Sequence, residues 1–282
     1  ITAGTNVRTF NVTADATNGT GGQLVIDAGL ATTVALTAAH SADSAKLVLN
    51  GQTATVTGTN AIETLVIDSL TDGASITMDN GVGTSLEVAG AGSVTLTSNS
   101  WSAETVTDTG AGALTIVSDA TGADIDVSKI DASLIQQTAA LGANTFSVKD
   151  GANVEFTADL GNAASTISAP AATATTNAIT TEFSTVASQT GVVFANVKTA
   201  NIIADAPAIT GTDLTFAVLN NGTNNIVMTG TNDVVVTLGT AKTFDASALV
   251  GKLTYTQAAG AAETIKGGSD TATVTFKGAA LA

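Results

Sequence analysis

Nearly all the groups in this chain that could do chemistry are aspartates, 18 of them among 24 acidic residues. Asp68, Asp72 and Asp79 flank a single turn, and Asp124-Ile125-Asp126 sets two carboxylates on one face of a strand, about 7 Å apart by the two-residue repeat. Short carboxylates at such spacings ligate hard cations such as calcium, and a facing pair can in principle hydrolyse a glycosidic bond. Hydrolysis or elimination on a polysaccharide also needs a cationic base or clamp and aromatic rings to hold sugars. The chain has one Arg (Arg8), one Trp (Trp101), one Tyr (Tyr255), one His (His40) and no Cys. That poverty argues against an enzyme and leaves calcium as the available chemistry, with plain solvated turn carboxylates as the alternative. His40, in Ala38-Ala39-His40-Ser41-Ala42-Asp43, has no second His nearby and reads as a surface-loop residue.

Charge and composition narrow the partners. A net charge of −15 disfavours nucleic acid and anionic membrane surfaces, both of which select positive patches, and favours divalent counterions. The lack of cysteine removes disulfides and thiolate metal sites. No run of eighteen apolar residues occurs, so no helical span is expected. The chain opens on Ile1 without a Met or a signal peptide, in what reads as a β segment, and is expected to be a fragment of a longer polypeptide. Gly21-Gly22 and Gly81-Val82-Gly83 are turn glycines with no helix after them, unlike a phosphate-cradling loop. With 44% hydrophobic but only 4% aromatic residues, the core must be built from Val, Ile, Leu and Ala.

The elements that would position the carboxylates are short alternating strands. Period-two runs are read near 8–12, 23–26, 33–37, 45–49, 54–58, 64–67, 75–78, 85–88, 93–97, 104–108 and 113–118. They resume near 145–148, 154–157, 191–194, 200–203, 214–218, 225–229, 234–238, 252–256 and 271–277. Turn signals such as Asn50-Gly51, Asp72-Gly73 and Asn80-Gly81 separate them. The fold class expected is all-β: an elongated β-solenoid, or β-helix-like stack, with tandem β-sandwich domains as the other arrangement. One short helix is expected over 131–141, from the capping Asp131, the helix formers after it and the stopping Gly142. The domain reading is an N-terminal β-rich portion at 1–160, an Ala/Thr-rich loop or hinge at 161–180 around Pro170, and a C-terminal β-rich portion at 181–282. A degenerate repeat runs through Ile26-Asp27-Ala28-Gly29-Leu30, Ile67-Asp68-Ser69-Leu70, Ile130-Asp131-Ala132-Ser133-Leu134 and Phe244-Asp245-Ala246-Ser247-Ala248-Leu249. In it the apolar residue ends a strand, Asp caps the turn and Leu folds back as a plug. Thr53, Thr55, Thr57 and Thr59 form a Thr-x-Thr run of the kind seen in ice-binding solenoids. The sequence shows no repeat of it in register, so it reads as ordinary strand threonine.

Near the C-terminus, Phe244-Asp245-Ala246-Ser247-Ala248-Leu249-Val250-Gly251-Lys252-Leu253-Thr254-Tyr255 leads into Ala259-Gly260-Ala261-Ala262-Glu263-Thr264-Ile265-Lys266-Gly267-Gly268-Ser269-Asp270. This resembles the "DAS…L…G.L…G..D.I.GG…D" run of type I-secreted S-layer proteins and related RTX proteins of Gram-negative bacteria. Asn60-Ala61-Ile62-Glu63-Thr64-Leu65-Val66-Ile67 resembles the Asn-x-Glu-Thr-Leu strands of that group. The resemblance implies a secreted, extracellular protein of the cell surface whose copies assemble with calcium into a two-dimensional lattice. Its partners would then be copies of itself, with lipopolysaccharide or another cell-surface glycan reached through regions outside this chain. It also implies calcium at Asp270. The family's glycine-rich calcium repeat is degenerate here, because Gly267-Gly268-Ser269-Asp270 lacks the third glycine and carries its Asp one position early. The other reading, a binding module, is the β-rich stalk of a large secreted adhesin.

Overall fold

The alternation that dominates the sequence sets the fold directly. In Thr53-Ala54-Thr55-Val56 the two threonines are exposed while Ala54 and Val56 are buried. The structure, a computed structural model, describes residues 9–14, 22–26, 32–38, 44–57, 64–78, 85–102, 105–161, 164–171, 176–184, 188–189, 191–205, 213–222, 224–257, 264–268 and 272–276. The chain forms two compact units, Ile1–Asp119 with Ile125–Ile135, and Ala120–Asp124 with Gln136–Ala282. Each is a parallel β-solenoid.

In the first unit the strands are β1 (Thr9–Ala14), β2 (Gly22–Ile26), β3 (Thr32–Ala38), β4 (Ser44–Leu49), β5 (Gln52–Thr57), β6 (Thr64–Ser69), β7 (Ala74–Met78), β8 (Ser85–Gly90), β9 (Val94–Ser98), β10 (Thr105–Asp108), β11 (Leu114–Ser118) and β12 (Ile125–Val127). Odd-numbered strands β1 to β11 pair in one sheet and even-numbered strands β2 to β10 in another. Each coil thus gives one strand to each sheet. Pairing is parallel throughout, with Thr33 beside Thr55 and Val94 beside Leu114 on the next coil. Like side chains therefore stack in columns. Ala54, Ile76, Leu96 and Ile116 form one buried column, and Leu47, Ile67 and Val88 form another in the second sheet. Burying a Val, Leu or Ile side chain contributes about 1.5–3 kcal/mol, so the columns supply most of the cohesion that the sparse aromatics cannot.

The corners stack as closely as the strands. The Gly51 N–H donates to Gly73 O at 2.7 Å, and Asn50 Oδ1 accepts from the Thr71 hydroxyl of the next coil at 3.1 Å. Gly90 has φ +96, and a Cβ there would lie 1.9 Å from Ser69 O. Only glycine lets these two backbones approach so closely.

Strand β13 (Leu134–Gln137) carries the chain across the boundary between the units. The second unit contains β14 (Thr145–Val148), β15 (Asn153–Phe156), β16 (Ala164–Ser168), β17 (Ala178–Phe183), β18 (Ser188–Gln189), β19 (Gly191–Ala195), β20 (Thr199–Ala204), β21 (Leu214–Asn220), β22 (Asn225–Gly230), β23 (Val234–Thr240), β24 (Thr243–Leu249), β25 (Leu253–Gln257), β26 (Thr264–Lys266) and β27 (Ala272–Phe276). One sheet runs β15-β17-β20-β22-β24-β26 and the other β14-β16-β19-β21-β23-β25-β27. Its coils vary more: the one from Asn153 to its partner Thr180 is half as long again as the one from Asn225 to Thr243. Its core holds most of the aromatics. Phe146, Phe156, Phe183 and Phe216 form a continuous stack with successive ring centroids 5.9, 5.2 and 5.2 Å apart.

Several expectations are corrected. Parallel pairing replaces the tandem sandwich, which is built from antiparallel sheets. The helix over 131–141 is absent: Leu134–Gln137 is a strand with Ile135 and Gln137 buried. The helix formers there meet a parallel sheet that rewards a two-residue period, and tertiary pairing overrides local propensity. The 161–180 stretch contains β16 and the start of β17, so it is not simply a loop. In the degenerate repeat, Leu249 is buried, but Leu70 is 43% exposed and is no plug. Ile67 lies inside β6, with Asp68 and Ser69 continuing it, where a strand end was expected.

Candidate functional site

Four of the aspartates share one local device. Asp126 Oδ1 accepts from the Ser128 N–H at 2.9 Å and from the Ser128 hydroxyl at 2.6 Å. Asp108 accepts in the same way from Gly110 N at 2.9 Å, Asp159 from Gly161 N at 2.9 Å and Asp245 from Ser247 N at 3.0 Å. A carboxylate one methylene from the backbone reaches the N–H two residues on and closes an Asx turn. Glutamate is too long to do so in the same way, which favours Asp at these turns.

The six carboxylates singled out by sequence fall in different places. Asp68 faces outward on β6, with Oδ2 2.7 Å from Lys46 Nζ on the neighbouring β4. Asp72 occupies the β6–β7 corner, packed against Gly51 of the previous coil. Asp124 is exposed before β12, and its Oδ1 accepts from Thr145 N at 2.8 Å. Asp126 lies within β12, half-buried. Asp79 and Asp270, like His40, lie outside the described residues. Calcium takes six to eight oxygen ligands. Among the described residues no three His, Cys, Asp or Glu side chains converge on one point. These hydrogen bonds of Asp124 and Asp126 use Oδ1, which leaves Oδ2 of each to meet a ligand.

A different carboxylate pair was missed by sequence reasoning. Glu155 on β15 and Glu182 on β17 are direct partners in the parallel ladder. Gln136 Nε2 donates to Glu155 Oε2 at 2.6 Å. Burial pushes the Glu182 carboxyl above its usual range, and the charges of Glu155 and Asp205 push it further. The two glutamates are a whole coil apart along the chain, and only the register of the coils reveals that they stack.

No family model matches this chain, and no curated protein or solved structure matches it. Its side chains must therefore speak for themselves.

The scarce aromatics that might have held a sugar are structural. Trp101 is 2% exposed, and its Nε1 donates to Val117 O at 3.1 Å. Tyr255 is fully buried 5.1 Å from the Phe244 ring, and its hydroxyl has no hydrogen-bond partner among the described residues. Burial pushes its pKa up to about 12. Leaving a buried hydroxyl unbonded costs about 1–3 kcal/mol, so Tyr255→Phe is expected to raise stability by about 1 kcal/mol in thermal or urea unfolding. The pH dependence gives a second check. Because the folded pKa lies above the unfolded one, the folded state holds its proton longer, and stability falls as pH rises from about 10 through about 12. That contribution to the alkaline loss should vanish in Tyr255→Phe. A destabilised variant would show that the hydroxyl has a partner after all.

Proposed function

We propose that this chain is a structural component of a bacterial surface layer, secreted by a type I route, whose copies assemble outside the cell into a two-dimensional lattice with calcium. The observation that carries the calcium part is the Glu155–Glu182 stack, a like-charge pair at strand spacing in a chain of net charge −15. Like charges held side by side are destabilising, and a divalent cation shared with a second copy relieves them without needing a complete cage in either one. Asp124 and Asp126, each with Oδ2 outside the hydrogen bonds made by its Oδ1, suit the same role. The proposal also draws on the resemblance of the 244–270 stretch to S-layer and RTX proteins, and on a solenoid fold that suits a structural role. The chain acts here through shape, with no catalytic step. Lipopolysaccharide or another surface glycan is the anchoring partner that this reading implies.

Sedimentation of the purified chain in calcium and then in excess EGTA tests this. Large assemblies should form in calcium and dissolve on chelation, as uncompensated carboxylates repel. An adhesin stalk would stay monomeric in both conditions, with calcium raising only its melting temperature. Assembly indifferent to EGTA would remove the calcium bridge.

A further inference from the structure

The first unit carries an ordered surface that its sequence conceals. Thr53, Ser75, Thr95 and Thr115 are direct partners on successive strands β5, β7, β9 and β11. Two residues along each strand, Thr33, Thr55, Thr77 and Thr97 form a second column starting one coil earlier, on β3. All point outward from half-buried or exposed positions, and the register is unbroken from β3 to β11. The hydroxyls therefore lie on a two-dimensional grid, about 4.8 Å between coils and about 6.6 Å along each strand.

Strand propensity does not account for this. The opposite sheet of the same coils is built from equally regular strands, yet its outward positions mix Lys46, Val66, Asp68 and Glu87. On the grid face, β5, β7, β9 and β11 present only Thr, Ser and one Val outward and no charge, in a chain of net charge −15. Nor do the hydroxyls satisfy one another: among the described residues those of Thr55, Ser75, Thr77, Thr95 and Thr97 make no bond to protein.

We propose that this face binds ice. Water oxygens on a prism face of ice repeat along two perpendicular directions, the shorter close to the coil spacing and the longer somewhat above the strand spacing, so hydroxyls along the coils can occupy successive lattice positions while the methyls seat in the hollows between them. Each contact is weak. Their sum counts because threonine is stiff at χ1 and the backbone ladder fixes the spacing, so little freedom is lost on binding. Neutrality matters equally, since a charged side chain holds its own hydration shell and keeps ordered water away. This inference stands apart from the surface-layer reading and needs no second copy.

The test is ice growth in the presence of the full chain, read as thermal hysteresis and crystal shape. Faceted crystals and measurable hysteresis are expected. Thr55→Tyr with Thr77→Tyr should abolish most of it while circular dichroism and melting temperature are unchanged, and Thr107→Tyr on β10 of the opposite sheet should leave it intact. Round crystals without hysteresis would overturn the proposal, as would full activity in the double variant. If sedimentation shows the wild-type chain pairing through this face and the double variant monomeric, the face is a contact between copies and the ice assignment fails.

Discussion

Phe183→Ala should be among the most damaging of the core truncations, lowering stability by about 3–5 kcal/mol. Phe183 is fully buried and, like Phe156, touches two other rings: it is stacked on Phe156 at an interplanar angle of 19° and edge-on to Phe216 at 80°. Its removal loses the transfer energy of a large ring and two aromatic contacts, each contributing about 0.5–1.5 kcal/mol beyond area. Collapse cannot easily fill the gap, because Phe156 is held one ladder step away on β15 and Phe216 is held by β21 of the opposite sheet. The measurement is the shift in urea midpoint, with Phe183→Leu expected to recover about half the loss. If Phe183→Ala costs less than about 1 kcal/mol, the continuous ring stack is not what holds these coils together.

A comparable loss is expected from one added methyl group. Gly90→Ala requires a side chain at φ +96 with its Cβ 1.9 Å from the Ser69 carbonyl oxygen. A strained backbone conformation alone costs about 1–3 kcal/mol. The clash adds to it, since the obstacle is backbone of an adjacent coil and cannot rotate away, for a total of about 3 kcal/mol or more. Gly151 separates the two effects. It has φ +78, but a methyl group added there would meet nothing within 4 Å, so Gly151→Ala should cost only the conformational part, about 1–2 kcal/mol. Equal losses at the two sites, measured by urea unfolding, would mean that coil contact at Gly90 is looser than described.

The fold class was legible because alternation is a local signal. Thr53-Ala54-Thr55-Val56 states its buried face in four residues, and strands expected near 64–67, 85–88, 93–97 and 234–238 are found there. What failed was everything that depends on pairing. Leu134–Gln137 looks helical until the sheet is present to impose its period. Strands β16 and β17 were hidden in an Ala/Thr-rich stretch whose side chains carry little hydrophobic contrast.

Register was the larger loss. Coils shorten along the first unit, from the Thr33–Thr55 pairing to that of Val94 with Leu114, and they vary more widely in the second. No fixed period in the sequence therefore aligns Thr55 with Thr77 and Thr97, or Glu155 with Glu182. The candidate carboxylates were chosen by proximity along the chain. In a solenoid the effective neighbour of a surface residue is one coil away, which is why Asp68 meets Lys46 rather than Asp72 as its described charged partner. The scarcity of His, Arg and Cys was legible at once, and the structure adds where the aspartates are spent: on tight Asx turns at Asp108, Asp126, Asp159 and Asp245.

Negative-stain microscopy of the purified chain, with calcium and after EGTA, decides whether copies of it form a lattice. A surface-layer component should give planar arrays with a regular repeat in calcium, which disperse into single particles on chelation and return when calcium is restored. Dispersed single particles in calcium at every protein concentration would rule out a lattice-forming role.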